Sequence, residues 1–199
     1  MEEITNIDLS SIPTKLINLK GADDRLAKSH EALAGVGQPF ERFEGLRHSV
    51  GVIGCGMSHL SLLNSIKPFT LILEDDIGVT PAIKNKIRVP EGTDAIYLGV
   101  SNHGYIRNQK HGYRGVVMAT SYSEEYLQVF NMCSTHAILY VSDRYIEACK
   151  SVIISYLEKG VAFDVGLASI HRHFNILTPI DPWFYQLEQP RETNFSLLP

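Results

Sequence analysis

Phe69–Ile77 reads FTLILEDDI, and this stretch decides the fold. From Phe69 to Leu73 the residues are apolar apart from Thr70, with no regular polar alternation. A short unbroken apolar run is the signature of a strand covered on both faces, as in the parallel part of an α/β sheet. The run stops abruptly at Glu74, Asp75 and Asp76. Open α/β sheets bind ligands at the carboxyl ends of their strands, so these acids are expected at a ligand crevice. Adjacent carboxylates also repel one another unless solvent, a metal ion or basic groups offset the charge.

The flanking sequence alternates strand and helix signals. Lys15–Leu19 (KLINL) reads as a first strand. From Asp23, DDRLAKSHEALAGVG reads as a helix with acids in its first turn and glycines past its last. Phe40–Phe43 reads as a short strand, and GCGMSHLSLLNSI from Gly54 as a second helix ended by Pro68. Thr80–Pro90 is looser and is expected to hold a helical turn or two. Asp94–Gly99, Val116–Ala119, Tyr126–Phe130, Ala137–Val141 and Phe174–Leu177 are strand candidates. Ser142 is placed to cap a helix from Asp143 to about Leu157, and a shorter helix starts near Ala162. Ser101–Gly115 reads as a long loop. The expected fold class is α/β, a mixed and mainly parallel sheet flanked by helices, in one domain.

Composition excludes several alternatives. With 44% hydrophobic and 20% charged residues in 199, the chain is long and apolar enough to bury its own core. Cys55, Cys133 and Cys149 are odd in number and widely spaced, which points to reduced buried thiols and not to a disulfide framework or a CxxC zinc site. No apolar run reaches bilayer length, and the acidic, polar MEEITNIDLS is no secretory signal, so a cytoplasmic protein is expected. A net charge of −4 gives no pull toward nucleic acid as a partner. The basic, aromatic loop Asn102–Arg114 keeps a polyanionic acceptor open. Gly54 and Gly56 do not make a phosphate-binding fingerprint, because GxGxxG is absent.

The order of motifs resembles glycosyltransferase family 25, the group that includes bacterial lipopolysaccharide galactosyltransferases and collagen galactosyltransferases. The resemblance is carried by KLINLKGADDR (Lys15–Arg25), FERFEG (Phe40–Gly45), GVIGCGMSHL (Gly51–Leu60) and LILEDDI (Leu71–Ile77). Ser134-Thr135 before AILYVSDRYIEAC, and then Asp164, extend it more weakly. It implies a Rossmann-like GT-A domain with a donor half at about 13–100, an acceptor half at about 101–180 and a tail at 181–199. It further implies an inverting hexosyltransferase that moves galactose or glucose from a UDP-sugar to a hydroxyl of a glycan or other acceptor, assisted by Mn²⁺ or Mg²⁺. One departure is Val52, which stands where the family usually has an acid; the chain is also shorter than many members.

Under this resemblance each candidate residue has a role beside an ordinary alternative. Glu74-Asp75-Asp76 fits the D-x-D pattern, with Glu74 and Asp76 on one side of an extended segment. Asp76 is the expected main metal ligand with Glu74, and Glu74 or Asp75 is expected near the ribose or donor sugar. Asp164 is the expected base, its pKa raised by apolar neighbours; its ordinary reading is a first-turn helix acid. Asn18 and Arg25 are expected to meet the nucleotide; Arg25 could instead pair with Asp23 or Glu31 on its helix. His59 is expected beside the donor site or as a neutral core histidine. His171 and His173 would share a face only on a strand, and either could add a third metal ligand. Trp183 is read as a latch closing the tail onto the core in preference to a sugar platform. Two alternatives remain: a catalytically degenerate nucleotide-sugar- or glycan-binding protein, and a metal-dependent phosphohydrolase.

Overall fold

The structure, a computed structural model, describes residues 4–101, 103–105, 116–187 and 195–197. Most of the expected loop at Asn102–Arg114 lies outside the described residues. The strands, in chain order, are β1 (Ile4–Asp8), β2 (Thr14–Leu19), β3 (Glu41–Gly45), β4 (Thr70–Glu74), β5 (Ile77–Val79), β6 (Lys86–Pro90) and β7 (Ala95–Tyr97). They continue as β8 (Val117–Ser121), β9 (Tyr126–Val129), β10 (Ala137–Tyr140), β11 (Ile176–Pro179), β12 (Phe184–Gln186) and β13 (Phe195–Leu197). The helices are α1 (Asp23–Ala34), α2 (Gly51–Leu63), α3 (Asp143–Glu158) and α4 (Phe163–Ile170).

Among the described residues one nine-stranded sheet runs in the order β13-β8-β9-β11-β7-β10-β4-β2-β3. The α/β class is as expected, and the sheet is mixed but not mainly parallel, since antiparallel pairings are as many as parallel ones. Its parallel character is strongest in the first half, where β2 pairs parallel with both β3 and β4. Later, β10 inserts antiparallel between β4 and β7, while β11 pairs parallel with β7 and antiparallel with β9.

The opening run behaves as a doubly covered strand. Leu71, Ile72 and Leu73 have no exposed surface. Period-two alternation sends Ile72 into one core and Leu71 and Leu73 into another. The Ile72 core collects residues of α2, α3 and α4, including Leu62, Ile146, Ile153 and Leu167. The Leu71/Leu73 core takes Leu33 of α1, Ile87 and Val89 of β6, and Trp183 and Phe184 of the tail. Burying each such side chain is worth about 1.5–3 kcal/mol, so this strand anchors both layers. Phe69 itself stands outside the strand at φ 63, with its N–H donated to the Tyr140 carbonyl at 2.7 Å. A left-handed non-glycine residue costs on the order of 1–3 kcal/mol and persists where its surroundings hold it.

Several expected boundaries move. The Thr80–Pro90 stretch is not helical: Lys86–Pro90 forms β6, antiparallel to the unforeseen β1. Ile87 and Val89 are buried while Lys86 and Arg88 are exposed, the period of a strand. Helix α2 begins at Gly51, ahead of the expected Gly54. Ser142 caps α3 as expected, its Oγ accepting from the Tyr145 N–H at 3.2 Å, and Gly160 follows in the left-handed region at φ 66. The last internal strand is shifted, from the expected Phe174–Leu177 to Ile176–Pro179.

The sheet has chemically distinct ends. At the amino end of β7, buried Asp94 accepts from Ser142 Oγ at 2.6 Å, from the Asn175 N–H at 2.8 Å and from the Arg144 guanidinium. These bonds tie β7, α3 and β11 together, a structural role. At the opposite end lie the carboxyl ends of β2 and β4, where the acids are.

Candidate functional site

Strand β4 ends at Glu74, and Asp75-Asp76 form the turn into β5. The three acids therefore diverge. Alternation carries Glu74 to the Ile72 side, toward α2, and Asp75 to the other side, toward α1. Asp76, past the end of the strand, faces the tail. The expectation that Glu74 and Asp76 share one side of an extended segment is overturned, because the extended backbone stops between them.

Glu74 Oε1 accepts from Thr135 Oγ1 at 2.6 Å and lies 3.0 Å from His59 Nε2. A carboxylate oxygen can only accept, so His59 carries its proton on Nε2. His59 Nδ1 is buried with no protein partner. Burial alone would raise the Glu74 pKa, but the His59 and Thr135 hydrogen bonds outweigh it and hold the group at about 2. Cys55 Sγ is 3.9 Å from the same Oε1. Burial and then the charges of Glu74, Asp164, Asp76 and Asp75 push its thiol far up, so Cys55 stays protonated in the free protein.

Asp75 is clamped. Asn18 Nδ2 donates to its Oδ2 at 2.7 Å, Arg25 Nη1 to its Oδ1 at 3.2 Å, and Ser29 Oγ to its main-chain carbonyl at 3.0 Å. Asn18 and Arg25 thus meet near the end of β2, and their common partner is Asp75. The ion pair considered for Arg25 within α1 gives way to this cross-element contact.

Asp76 is the least satisfied of the three. Gln186 Nε2 donates to its Oδ2 at 3.3 Å, while Oδ1 is buried with no protein partner. Burial, reinforced by Glu74 and opposed by Arg25, raises its pKa to about 6. Asp164 sits in the first turn of α4 between buried Phe163 and Val165. Its Oδ1 accepts the Val165 N–H at 2.8 Å, and burial raises its pKa against that bond. Both Glu74 and His103 act on it electrostatically, which brings it to the same end of the sheet.

The late histidines do not join the acids as a pair. His171 and His173 form a 3₁₀ turn after α4 and not a strand. His171 is buried with Nε2 3.0 Å from the Tyr97 hydroxyl, and burial alone lowers its pKa to about 3. That is a core histidine. Trp183 is buried, its N–H donated to the Leu98 carbonyl at 3.0 Å, and the following β12 pairs with β5. The latch reading describes it.

A cleft of about 240 Å³ opens beside the acids. Its lining combines apolar Ile17, Leu19 and Leu46 with Arg25, Arg47 and His48 and with Cys55, Glu74 and Asp75. Val52 lies on the helical face of Cys55 and His59, one turn nearer the amino end of α2, and is 44% exposed. Sequence reasoning passed over Cys55, Ser29, Arg47 and Gln186. Cys55 had a signal, since it stands four residues before His59 on one helix face; Gln186, 110 residues from Asp76, had none. No protein-family model matches the chain, and no curated protein sequence matches it. Among the described residues no helix is long and apolar enough to cross a membrane.

Proposed function

We propose that the protein is a glycosyltransferase of the GT-A type, resembling family 25, that moves a hexose from a UDP-sugar to a hydroxyl of a glycan or other acceptor, with inversion. The observation that carries this reading is Asp76: a half-buried carboxylate with one orphaned oxygen, next in the chain to Glu74 and Asp75, which line a cleft together with apolar and basic side chains. An unpartnered buried carboxylate oxygen at a strand end suits a hard divalent cation, Mn²⁺ or Mg²⁺. Such an ion would supply neutralising charge for a leaving diphosphate. Glu74, the other expected ligand, already has Oε1 committed to Thr135 and His59.

The chain's own residues divide the remaining work. The apolar side chains of Ile17, Leu19 and Leu46 offer a surface for the nucleoside. Arg25 and Arg47 are placed to bind diphosphate oxygens. Asn18 holds Asp75 in place where it lines the cleft, toward the ribose or donor sugar. Asp164, its proton affinity raised by burial, takes the proton from the acceptor hydroxyl. Lipopolysaccharide-type acceptors and a cytoplasmic location belong to this same proposal.

The test is UDP release from a panel of UDP-sugars with and without Mn²⁺, in parent and Asp76→Ala proteins. Metal-dependent release that is lost in Asp76→Ala supports the reading. Measurable UDP binding with no turnover of any donor defeats it in favour of a nucleotide-sugar-binding protein. Val52, apolar and exposed on α2 where the family carries an acid, is the observation that favours that second reading. Release of inorganic phosphate without sugar transfer would instead indicate a phosphohydrolase.

A further inference from the structure

We infer that Cys55, His59 and Glu74 form a binding site for one Zn²⁺ ion, distinct from the hard-cation position at Asp76. Cys55 and His59 are one helical turn apart on α2, so their side chains stack on one face. Glu74 meets them from the end of β4. Its Oε1 is 3.0 Å from His59 Nε2 and 3.9 Å from Cys55 Sγ, and the three ligand atoms all lie within 4.8 Å of one another. Ligands bound tetrahedrally at about 2.0–2.3 Å from zinc stand roughly 3.3–3.6 Å apart. Side-chain adjustment alone bridges that difference.

The donor set selects the ion. Thiolate, imidazole and carboxylate suit a borderline-soft dication, whereas Mg²⁺ and Mn²⁺ favour all-oxygen sites. Cys55 and Glu74 both line the cleft, so a fourth position opens toward it for water, the arrangement of an open zinc site. Glu74, Asp75, Asp76 and Asp164 all act on the Cys55 sulfur. The negative field that disfavours a bare thiolate favours a dication at the same place. Thr135 holds Glu74 by its hydroxyl, and the His59 ring packs against Phe163 with centroids 5.0 Å apart, so two ligands are oriented from behind. On binding, the thiol proton is released and the imidazole proton moves from Nε2 to Nδ1. The trio is not a nucleophilic Cys–His pair, because Sγ contacts the carboxylate and not the imidazole.

The experiment is Co²⁺ titration of the full chain, reduced with a phosphine, followed by Zn²⁺ competition. The expected result is a thiolate-to-cobalt charge-transfer band saturating at one ion per chain and bleached by Zn²⁺. Cys55→Ser removes the band, while Cys133→Ser and Cys149→Ser keep it. His59→Gln weakens Co²⁺ binding by at least about 100-fold, more than a supporting residue would. Asp76→Asn retains the band. No band in the parent protein, a band that survives Cys55→Ser, or a band lost in a folded Asp76→Asn protein overturns the proposal. None of these readouts depends on sugar transfer, so the site stands or falls separately from the proposed activity.

Discussion

Replacing Asp76 by Asn should stabilise the metal-free protein while abolishing the proposed sugar transfer. The fold raises the Asp76 pKa from 3.8 to about 6, so the ionised form is penalised in the native state. That difference corresponds to roughly 3 kcal/mol at neutral pH. The sign follows from proton counting. Between 3.8 and about 6 the native state binds more protons at this site than the unfolded chain, so stability falls as pH rises through that window. Above it the whole penalty is present; below it both states are protonated and the penalty vanishes. Asparagine removes the charge and can still accept from Gln186, but its amide N–H group takes the place of an oxygen that has no partner. Leaving that donor unsatisfied costs about 1 kcal/mol, which leaves a net gain of about 2 kcal/mol. For a chain of 199 residues this is a rise of about 4–8 °C in Tm. Thermal unfolding of chelator-treated parent and Asp76→Asn proteins, from about pH 3.5 to 7.5, reads the difference directly. An Asn variant that melts below the parent at neutral pH, or a gain that persists under acid conditions, would refute the reasoning. Added Mn²⁺ should reverse the order by stabilising only the parent.

Four further outcomes follow from the same geometry. Asn18→Ala strips Asp75 of its 2.7 Å donor and should cost about 2–3 kcal/mol in urea unfolding. Glu74, held at about 2, contributes stability that is fully present above 4.5 and is lost as pH falls toward 2, so Glu74→Gln should flatten acid denaturation across that interval. A Cβ at Gly99 would stand 2.0 Å from His136 Nε2, so Gly99→Ala should lose at least about 1–3 kcal/mol, measured by chemical denaturation. Trp183→Ala removes a buried aromatic from the tail and should destabilise by about 3–5 kcal/mol, with β12 gaining hydrogen exchange ahead of the sheet.

Much of the central fold was legible because it rests on local patterns. The FTLIL run marked a strand covered on both faces, and Asp23, Ser142 and Gly160 marked helix ends. Strand β6 was equally periodic, yet Pro90 and the surrounding loop residues masked it, and β1 declares itself only through pairing with β6. The acids were placed at the carboxyl end of β4, where they are, but their divergence was not: the sequence shows three carboxylates in a row and not where the strand stops. Alternation past Asp75 fails because the chain turns there. Asn18 and Arg25 were placed near the site, while their shared partner Asp75 emerges only when β2 and α1 close on β4. His171 illustrates the opposite case, since a helix–turn exit puts it against Tyr97 in the core.

The bond from Gln186 to Asp76 spans 110 residues, and it has a consequence for how the chain matures. Closing so long a loop is slow and comes after local elements have formed. During synthesis β4 and its acids emerge long before β12, so β5 waits with an open edge and the hollow meant for Trp183 lies uncovered. Strand β12 therefore completes one side of the acidic turn only late, after β4 and its acids have long been available. A nascent chain arrested before β12 would present sticky apolar surface and an unshielded Asp76, which makes assembly of this corner a natural point for chaperone contact.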